Sequence, residues 1–191
     1  MMIIKVIAVT LSLLAFGYFI FRVVVRNNYL KRNKLSALSS VLEFVFFALH
    51  ANAMYFYLPV RWPELPPLAD NTVLFSLSII AIIIGLVIVL LAMVPLGYKR
   101  AMGSESKALK TNGLYNFSRN PQLVGYGLLL IGFCLSYFEI LSIIWFVIYL
   151  VVARWMVQSE EEYLLKKYGE EYKKYCYKVP RYIGIINKVT I

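Results

Sequence analysis

Residues Gln122–Tyr137 (QLVGYGLLLIGFCLSY), the break Phe138-Glu139 and residues Ile140–Val157 (ILSIIWFVIYLVVARWMV) decide the fold. Two apolar arms joined by two residues read as a helical hairpin, and a hairpin in a membrane returns the chain to the side it left. Ser118-Arg119-Asn120-Pro121-Gln122 opens the first arm, whereas Arg154 and Glu160-Glu161-Glu162 close the second. Charges distant in sequence are therefore expected to meet at one membrane surface. The first arm has 16 residues, roughly 24 Å at 1.5 Å per residue. A hydrocarbon core of ~30 Å asks for more, so the pair is expected to tilt or stop short of the far face.

Outward from the hairpin, the whole chain belongs to a lipid solvent. Apolar residues make up 61% of 191 and mean hydropathy is +0.70, which excludes an ordinary soluble domain. Three further segments are long enough to span: Met2–Val25, about Leu38–Leu58, and Thr72–Leu96. The second is the weakest, since it holds Glu43, His50 and Asn52. The expectation is an all-α integral membrane fold with about five transmembrane helices, the last two a hairpin, and a cytoplasmic helical tail. It forms a single membrane domain over 1–191, with three helices in 1–97 and a loop, hairpin and tail in 98–191.

Lysine and arginine set the orientation. Arg22, Arg26, Lys31, Arg32 and Lys34 fill the first connection; Lys99, Arg100, Lys107, Lys110 and Arg119 fill the third; eight basic residues follow from Arg154 onward. The second connection has Arg61 against Glu64 and Asp70, and the fourth has only Glu139. Alternate loops are basic, which places the C-terminus in the cytoplasm. The net charge of +10 thus reflects topology, with an anionic leaflet as its partner and no nucleic acid. Met2–Val25 is too long for a signal-peptide core and lacks a small-x-small cleavage pattern, so it reads as an anchored helix. Cys134 and Cys176 fall in different compartments, and no disulfide between them is expected. Pro59–Pro67, with Trp62, reads as an outer loop.

Local chemistry concentrates at the cytoplasmic end. Asn120 before Pro121 is a helix start, in which the asparagine side chain accepts from free backbone donors and proline occupies the first turn. Arg119 adds a full positive charge to that end. Seven residues, two turns, separate Arg154 from Glu161, so both share a face, while Glu160 points elsewhere. Glu162 is spaced for an i to i+4 pair with Lys166. Leu164, Tyr168, Tyr172 and Tyr175 form one stripe that Gly169 divides into two helices, and Val179-Pro180-Arg181 is placed to cover the pocket as a lid.

These residues resemble a family. Lys107-Ala108-Leu109-Lys110-Thr111-Asn112-Gly113-Leu114-Tyr115 with Ser118-Arg119-Asn120-Pro121-Gln122-Leu123-Val124-Gly125 is similar to the cofactor segment of the isoprenylcysteine carboxyl methyltransferase and phospholipid methyltransferase superfamily. Glu160-Glu161, Tyr168-Gly169-Glu170-Glu171-Tyr172, Tyr175 and Val179-Pro180-Arg181 resemble its second block. The resemblance covers about 96–184. It implies a membrane enzyme that uses S-adenosylmethionine on a membrane lipid or a lipidated small-molecule or protein acceptor. The implied cofactor residues are Arg100, Lys107, Ala108, Leu109, Lys110, Tyr115, Arg119, Asn120, Pro121, Gln122, Leu123 and Glu160. Arg154 and Glu161 are the candidate catalytic residues, and no metal is implied.

The chain departs from the family where Asn120 replaces a common histidine and Leu123 a common tyrosine. Asparagine hydrogen-bonds but does not titrate near neutral pH. Members that methylate isoprenylcysteine place an arginine four residues before the first key glutamate; Met156 stands there, and Arg154 is the nearest replacement. His50 reads as a packing or cavity residue more readily than as a base. An acceptor already able to attack follows, which favours isoprenylcysteine-type carboxylate O-methylation over phospholipid amine N-methylation. A nicotinamide-dependent reductase of the sterol reductase type and a non-enzymatic scaffold are the readings from other classes.

Overall fold

One helical run carries the chain from Met2 to Arg32: α1 (Met2–Tyr18), a π-helical segment (Phe19–Val25) and α2 (Arg26–Arg32). The computed structural model describes residues 2–57, 61, 63–64, 70–93, 109–137 and 139–184. The first helix thus continues past the expected end at Val25. Nothing breaks it until Asn33, which takes a left-handed conformation (φ 54°) that asparagine tolerates. Next come α3 (Ala37–Asn52), capped by Ser36 accepting from the Ser39 amide, α4 (Met54–Tyr57) and α5 (Thr72–Met93). A 3-10 turn (Gly113–Asn116) leads to α6 (Pro121–Ser136), α7 (Ile140–Tyr168) and α8 (Glu170–Lys178). The helix break at Gly169 is where the sequence places it, with φ +50°.

The fold is that of an all-α integral membrane protein. Among the described residues four helical runs are long and apolar enough to cross a bilayer, Ile3–Arg32, Ala37–Tyr57, Thr72–Met93 and Ile140–Tyr168, and Pro121–Ser136 is a shorter apolar helix. The helix α7 has 29 residues, about 43 Å at 1.5 Å per residue, so it overshoots the expected end at Val157 by some three turns. That extension carries Glu160–Glu162 away from the apolar part of the same rigid helix. The ends of the expected second and third segments, Leu58 and 94–96, and most of Pro59–Pro67 lie outside the described residues.

Within the bundle α7 is the central helix. Its buried Trp145, Ile148, Tyr149, Val152 and Val157 share one core with Ile20 and Phe21 of the π-helical segment, Phe46 of α3 and Tyr57 of α4. The expected hairpin is a short connection, but the closest partner of α6 is α5. Ser78, Gly85 and Ala92 recur every seven residues on α5 and are buried, as are Gly125 and Gly132 on α6. A Cβ on Gly85 would lie 2.6 Å from the Gly125 carbonyl oxygen, and one on Gly132 would lie 2.8 Å from the Ser78 carbonyl oxygen. The Ser78 and Ser136 hydroxyls bond at 2.5 Å. Lipid tails are as apolar as leucine, so close backbone approach and hydrogen bonds, not apolar burial, select partners in a membrane. The opposite face of α5, with Ile80, Ile83, Ile84, Val87 and Leu91, is exposed.

His50 takes the structural role. It is fully buried and stacks on Trp145 with ring centroids 5.5 Å apart. Its Nε2 lies 3.3 Å from the Trp145 carbonyl, an acceptor only, so Nε2 carries the proton; Nδ1 then accepts from the Tyr126 hydroxyl at 3.1 Å. The Trp145 indole returns a bond to the His50 carbonyl at 2.8 Å. Every polar atom of the ring is committed.

Candidate active site

The convergence expected from the hairpin is present, and arginines organise it. Glu161 on α7 is buried and ion-paired to Arg119 at 2.9 Å, the two side chains 9% and 2% exposed. It also accepts both bonds of the Arg181 fork, Nε to Oε1 at 3.0 Å and Nη2 to Oε2 at 2.6 Å. One carboxylate thereby ties the start of α6, the end of the long helix and the C-terminal segment together, and two positive charges compensate its burial. Both Glu161 oxygens, expected in catalysis, are committed to these partners.

The Arg119 guanidinium contributes Nη1 to Glu161, to the Cys176 Sγ at 2.7 Å and to the Tyr172 hydroxyl at 3.5 Å. Its Nε and Nη2 are buried without a hydrogen-bond partner. Around it lie the buried Tyr172, Tyr175, Cys176 and Val179, with Leu109 and Leu164 packed against them. The aromatic stripe read from the sequence is therefore the floor of this site. Burial pushes the Cys176 thiol up, and the Arg119 charge draws it part of the way back. Burial, with the Glu161 carboxylate beside it, keeps the Tyr172 phenol protonated well above its ordinary range.

Glu162 overturns a sequence expectation. It pairs with Arg22 at 2.9 Å and Arg26 at 2.5 Å, both from the first helical run, while Lys166 donates to the Leu30 carbonyl at 2.7 Å. An i to i+4 pair forms only when neither partner has a better one, and the overlong first helix supplies two guanidinium groups. The fully buried Ser159 fixes the same contact, donating to the Phe21 carbonyl at 2.8 Å and accepting from Arg22 at 3.1 Å. Neither Arg22 nor Arg26 was legible as a partner, since nothing local links them to Glu162.

Glu160 faces away from these pairs, as its helical position predicts. Among the described residues no hydrogen bond or ion pair reaches it, and its electrostatic neighbours include Glu161, Tyr29, Glu43, Tyr172 and Tyr175. In the sequence Glu43 only weakens the second span, although an ionisable residue in a span is itself a pointer to function. Arg154 is exposed, two turns from Glu161 on the same face, within electrostatic reach of Tyr182.

At the start of α6 the geometry corrects the capping expectation. Pro121 is the first helical residue and the Asn120 carbonyl accepts from the Leu123 and Val124 amides, but the Asn120 side chain makes no cap bond. Its Nδ2 donates instead to the Arg181 carbonyl at 2.9 Å. The Tyr115 hydroxyl donates to Gln122 Oε1 at 3.2 Å, and the Tyr115 carbonyl accepts from Tyr175 at 2.7 Å. Leu123 is buried, and its carbonyl accepts from the Tyr149 hydroxyl. Leu109 and Lys110 are half-buried on the approach. Arg100, Lys107 and Ala108 lie outside the described residues.

With that geometry in place, the comparison with known families is decisive. The phospholipid methyltransferase family matches residues 73–171, more than half of the chain. The chain belongs to this family. The match runs from the start of α5 into α8, so it includes the α5–α6 pair, Arg119, Asn120 and all three carboxylates, and it stops before Arg181. No curated protein matches the chain, and no solved structure matches it. Membership makes the protein a membrane methyltransferase. The resemblance seen in the two sequence blocks thus holds at the level of the family.

Proposed function

We propose that this family member transfers a methyl group from S-adenosylmethionine to the headgroup of a membrane lipid, at the shared end of α6 and α7. The observation that carries the reading is Glu160. Of three consecutive carboxylates, Glu161 and Glu162 are each neutralised by two arginines, and Glu160 alone has no cation among the described residues. A carboxylate left unpaired inside a site is costly unless it takes up a proton or a ligand brings the opposite charge.

The residues fit a ligand that is both cation and carboxylate. Glu160 matches the cationic part, and the unpartnered Nε and Nη2 of Arg119 match an anion. Leu109, Pro121 and Leu123 supply apolar walls that exclude water, while Lys110, Tyr115, Asn120 and Gln122 line the helix start; Arg100, Lys107 and Ala108 join them by family resemblance. When bound, S-adenosylmethionine supplies a methyl activated by its sulfonium. The protein's task is then to place an acceptor in line and keep water out.

The description of the matching family, phospholipid methyltransferase, supports a phospholipid amine as acceptor. An ammonium headgroup must lose a proton before attack, and with Glu160 given to the cofactor, Glu43, within its electrostatic reach, is the candidate base. The exposed Arg154 suits the lipid phosphate through paired hydrogen bonds. A carboxylate acceptor of the isoprenylcysteine type is the second reading, which Arg154 also suits and which needs no base.

The test is equilibrium binding of S-adenosylmethionine to the purified protein in micelles. Glu160→Gln is expected to weaken binding at least tenfold, about 1.4 kcal/mol. Glu162→Gln should leave affinity nearly unchanged. Equal losses from both, or none from Glu160→Gln, would remove the assignment. Radiolabel transfer to an amine phospholipid, compared with a prenylated cysteine, separates the two acceptors.

A further inference from the structure

Beyond the family-matched part, the segment after α8 turns back over the start of α6. The Arg119 amide donates to the Pro180 carbonyl at 2.9 Å, and Asn120 Nδ2 donates to the Arg181 carbonyl at 2.9 Å. Val179 is buried beneath, and Tyr182 lies within electrostatic reach of Arg154 and of Tyr149. One residue therefore engages the site from two sides. The Arg181 guanidinium forks onto Glu161, and its carbonyl claims the donor end of the Asn120 amide.

An asparagine amide has two faces of opposite character. With Nδ2 bound to a fixed carbonyl, Oδ1 is left as an acceptor, and among the described residues no hydrogen bond reaches it. Asn120 is 4% exposed, and the Arg181 carbonyl is the partner that holds its Nδ2. The carbonyl can hold that amide only while its own residue stays in place. Residues 180–184 include no helix to hold it, whereas the bidentate bond to Glu161 does.

We infer that Arg181 is a positioning residue: latched to Glu161 by its side chain, it uses its backbone carbonyl to fix the Asn120 amide with Oδ1 presented as an acceptor to a hydrogen-bond donor of the bound cofactor. The inference rests on the proposed function for the identity of that ligand. The latch itself does not. Lysine at 181 would reach Glu161 with one point charge in place of a fork, which gives a graded variant.

Two measurements on the full-length protein in micelles test it. In the first, S-adenosylmethionine binding is measured for Arg181→Gln, Arg181→Lys, Asn120→Ala and the Arg181→Gln/Asn120→Ala double variant. Arg181→Gln and Asn120→Ala should each weaken binding about tenfold, Arg181→Lys by less, and the double variant by no more than about threefold beyond the worse single change, because both remove one interaction. Losses that multiply fully would overturn the inference, since Arg181 would then not act through Asn120. In the second, amide hydrogen exchange of residues 118–124 is compared in ligand-free wild type and Arg181→Gln. Faster exchange is expected in the variant, and unchanged exchange would overturn the latch. A wild type that fails to bind the cofactor but shows the exchange difference would remove the proposed function and leave the latch standing.

Discussion

Three identical side chains in a row, Glu160, Glu161 and Glu162, have three different fates because a helix turns 100° per residue and presents each to a different neighbour. That divergence was legible in the sequence for Glu160 and Glu161. The partners were legible only where the hairpin brought them, as with Arg119. The two arginines on Glu162 depend on how far the first helix runs, which no local signal fixed. His50 shows the same logic from the buried side: both ring nitrogens are spent on Tyr126 and Trp145. His50→Leu should therefore lower the thermal unfolding midpoint in micelles, by a loss of about 1–3 kcal/mol for the stranded partners, with cofactor affinity within about twofold, roughly 0.4 kcal/mol. Unchanged unfolding with abolished methyl transfer would make it a base. Arg154 is exposed, within electrostatic reach of Tyr182, and belongs to no buried pair among the described residues. Arg154→Lys should lower transfer to a lipid acceptor, since a point charge replaces a fork. Its cofactor affinity should stay within about threefold, roughly 0.65 kcal/mol. Loss of cofactor binding instead would place Arg154 in the cofactor site.

Pairing of the elements was less legible than their existence. The apolar run of α5 reads as a span from composition alone, yet its composition hides Ser78, Gly85 and Ala92, the three positions that choose α6. Small residues are weak signals in a hydropathy reading because they change the mean little. In packing they are strong ones, since each permits a backbone to approach where any other side chain would forbid it. The π-helical segment Phe19–Val25 was not legible either; it sits beside Ser159 and sets Arg22 toward Glu162. The start of α6 was legible in kind, with Pro121 in its first turn, but the asparagine's partner was not, because Arg181 is 61 residues away. The α5–α6 seam carries a direct test. A Cβ at Gly125 would meet the Gly85 carbonyl oxygen at 2.7 Å and the Val89 amide nitrogen at 2.8 Å, both backbone. Gly125→Leu should force the helices apart and destabilise the protein by about 1–3 kcal/mol or more, seen as early unfolding or loss of monodisperse protein. A variant that unfolds with the wild type would show that the seam is not the contact that holds α6.

At the scale of the whole molecule, the site exists only if four parts of the chain share one side of the membrane: the first helix end with Arg22 and Arg26, the Arg119 segment, the Glu160–Glu162 turn and the strap at Arg181. The ion pairs among them bind those parts together. Charged groups cross hydrocarbon at high cost, so a bundle with these pairs on one side cannot place any of the four parts on the other. We propose that this side is the cytoplasm, as the positive-inside rule expects from the basic residues that flank those parts, from Lys31 to Lys34 and around Lys110. This turns a topology measurement into a test of the site. Reporters fused after Lys34, after Lys110 and after Lys188 are expected to read cytoplasmic, and one inserted between Pro63 and Asp70 to read external. A reporter at Lys110 that reads external while the one at Lys34 reads cytoplasmic would separate Arg119 from Arg22 by a bilayer. No bundle could then join Glu161 to Arg119 and Glu162 to Arg22 on adjacent residues, and the shared site would go with it.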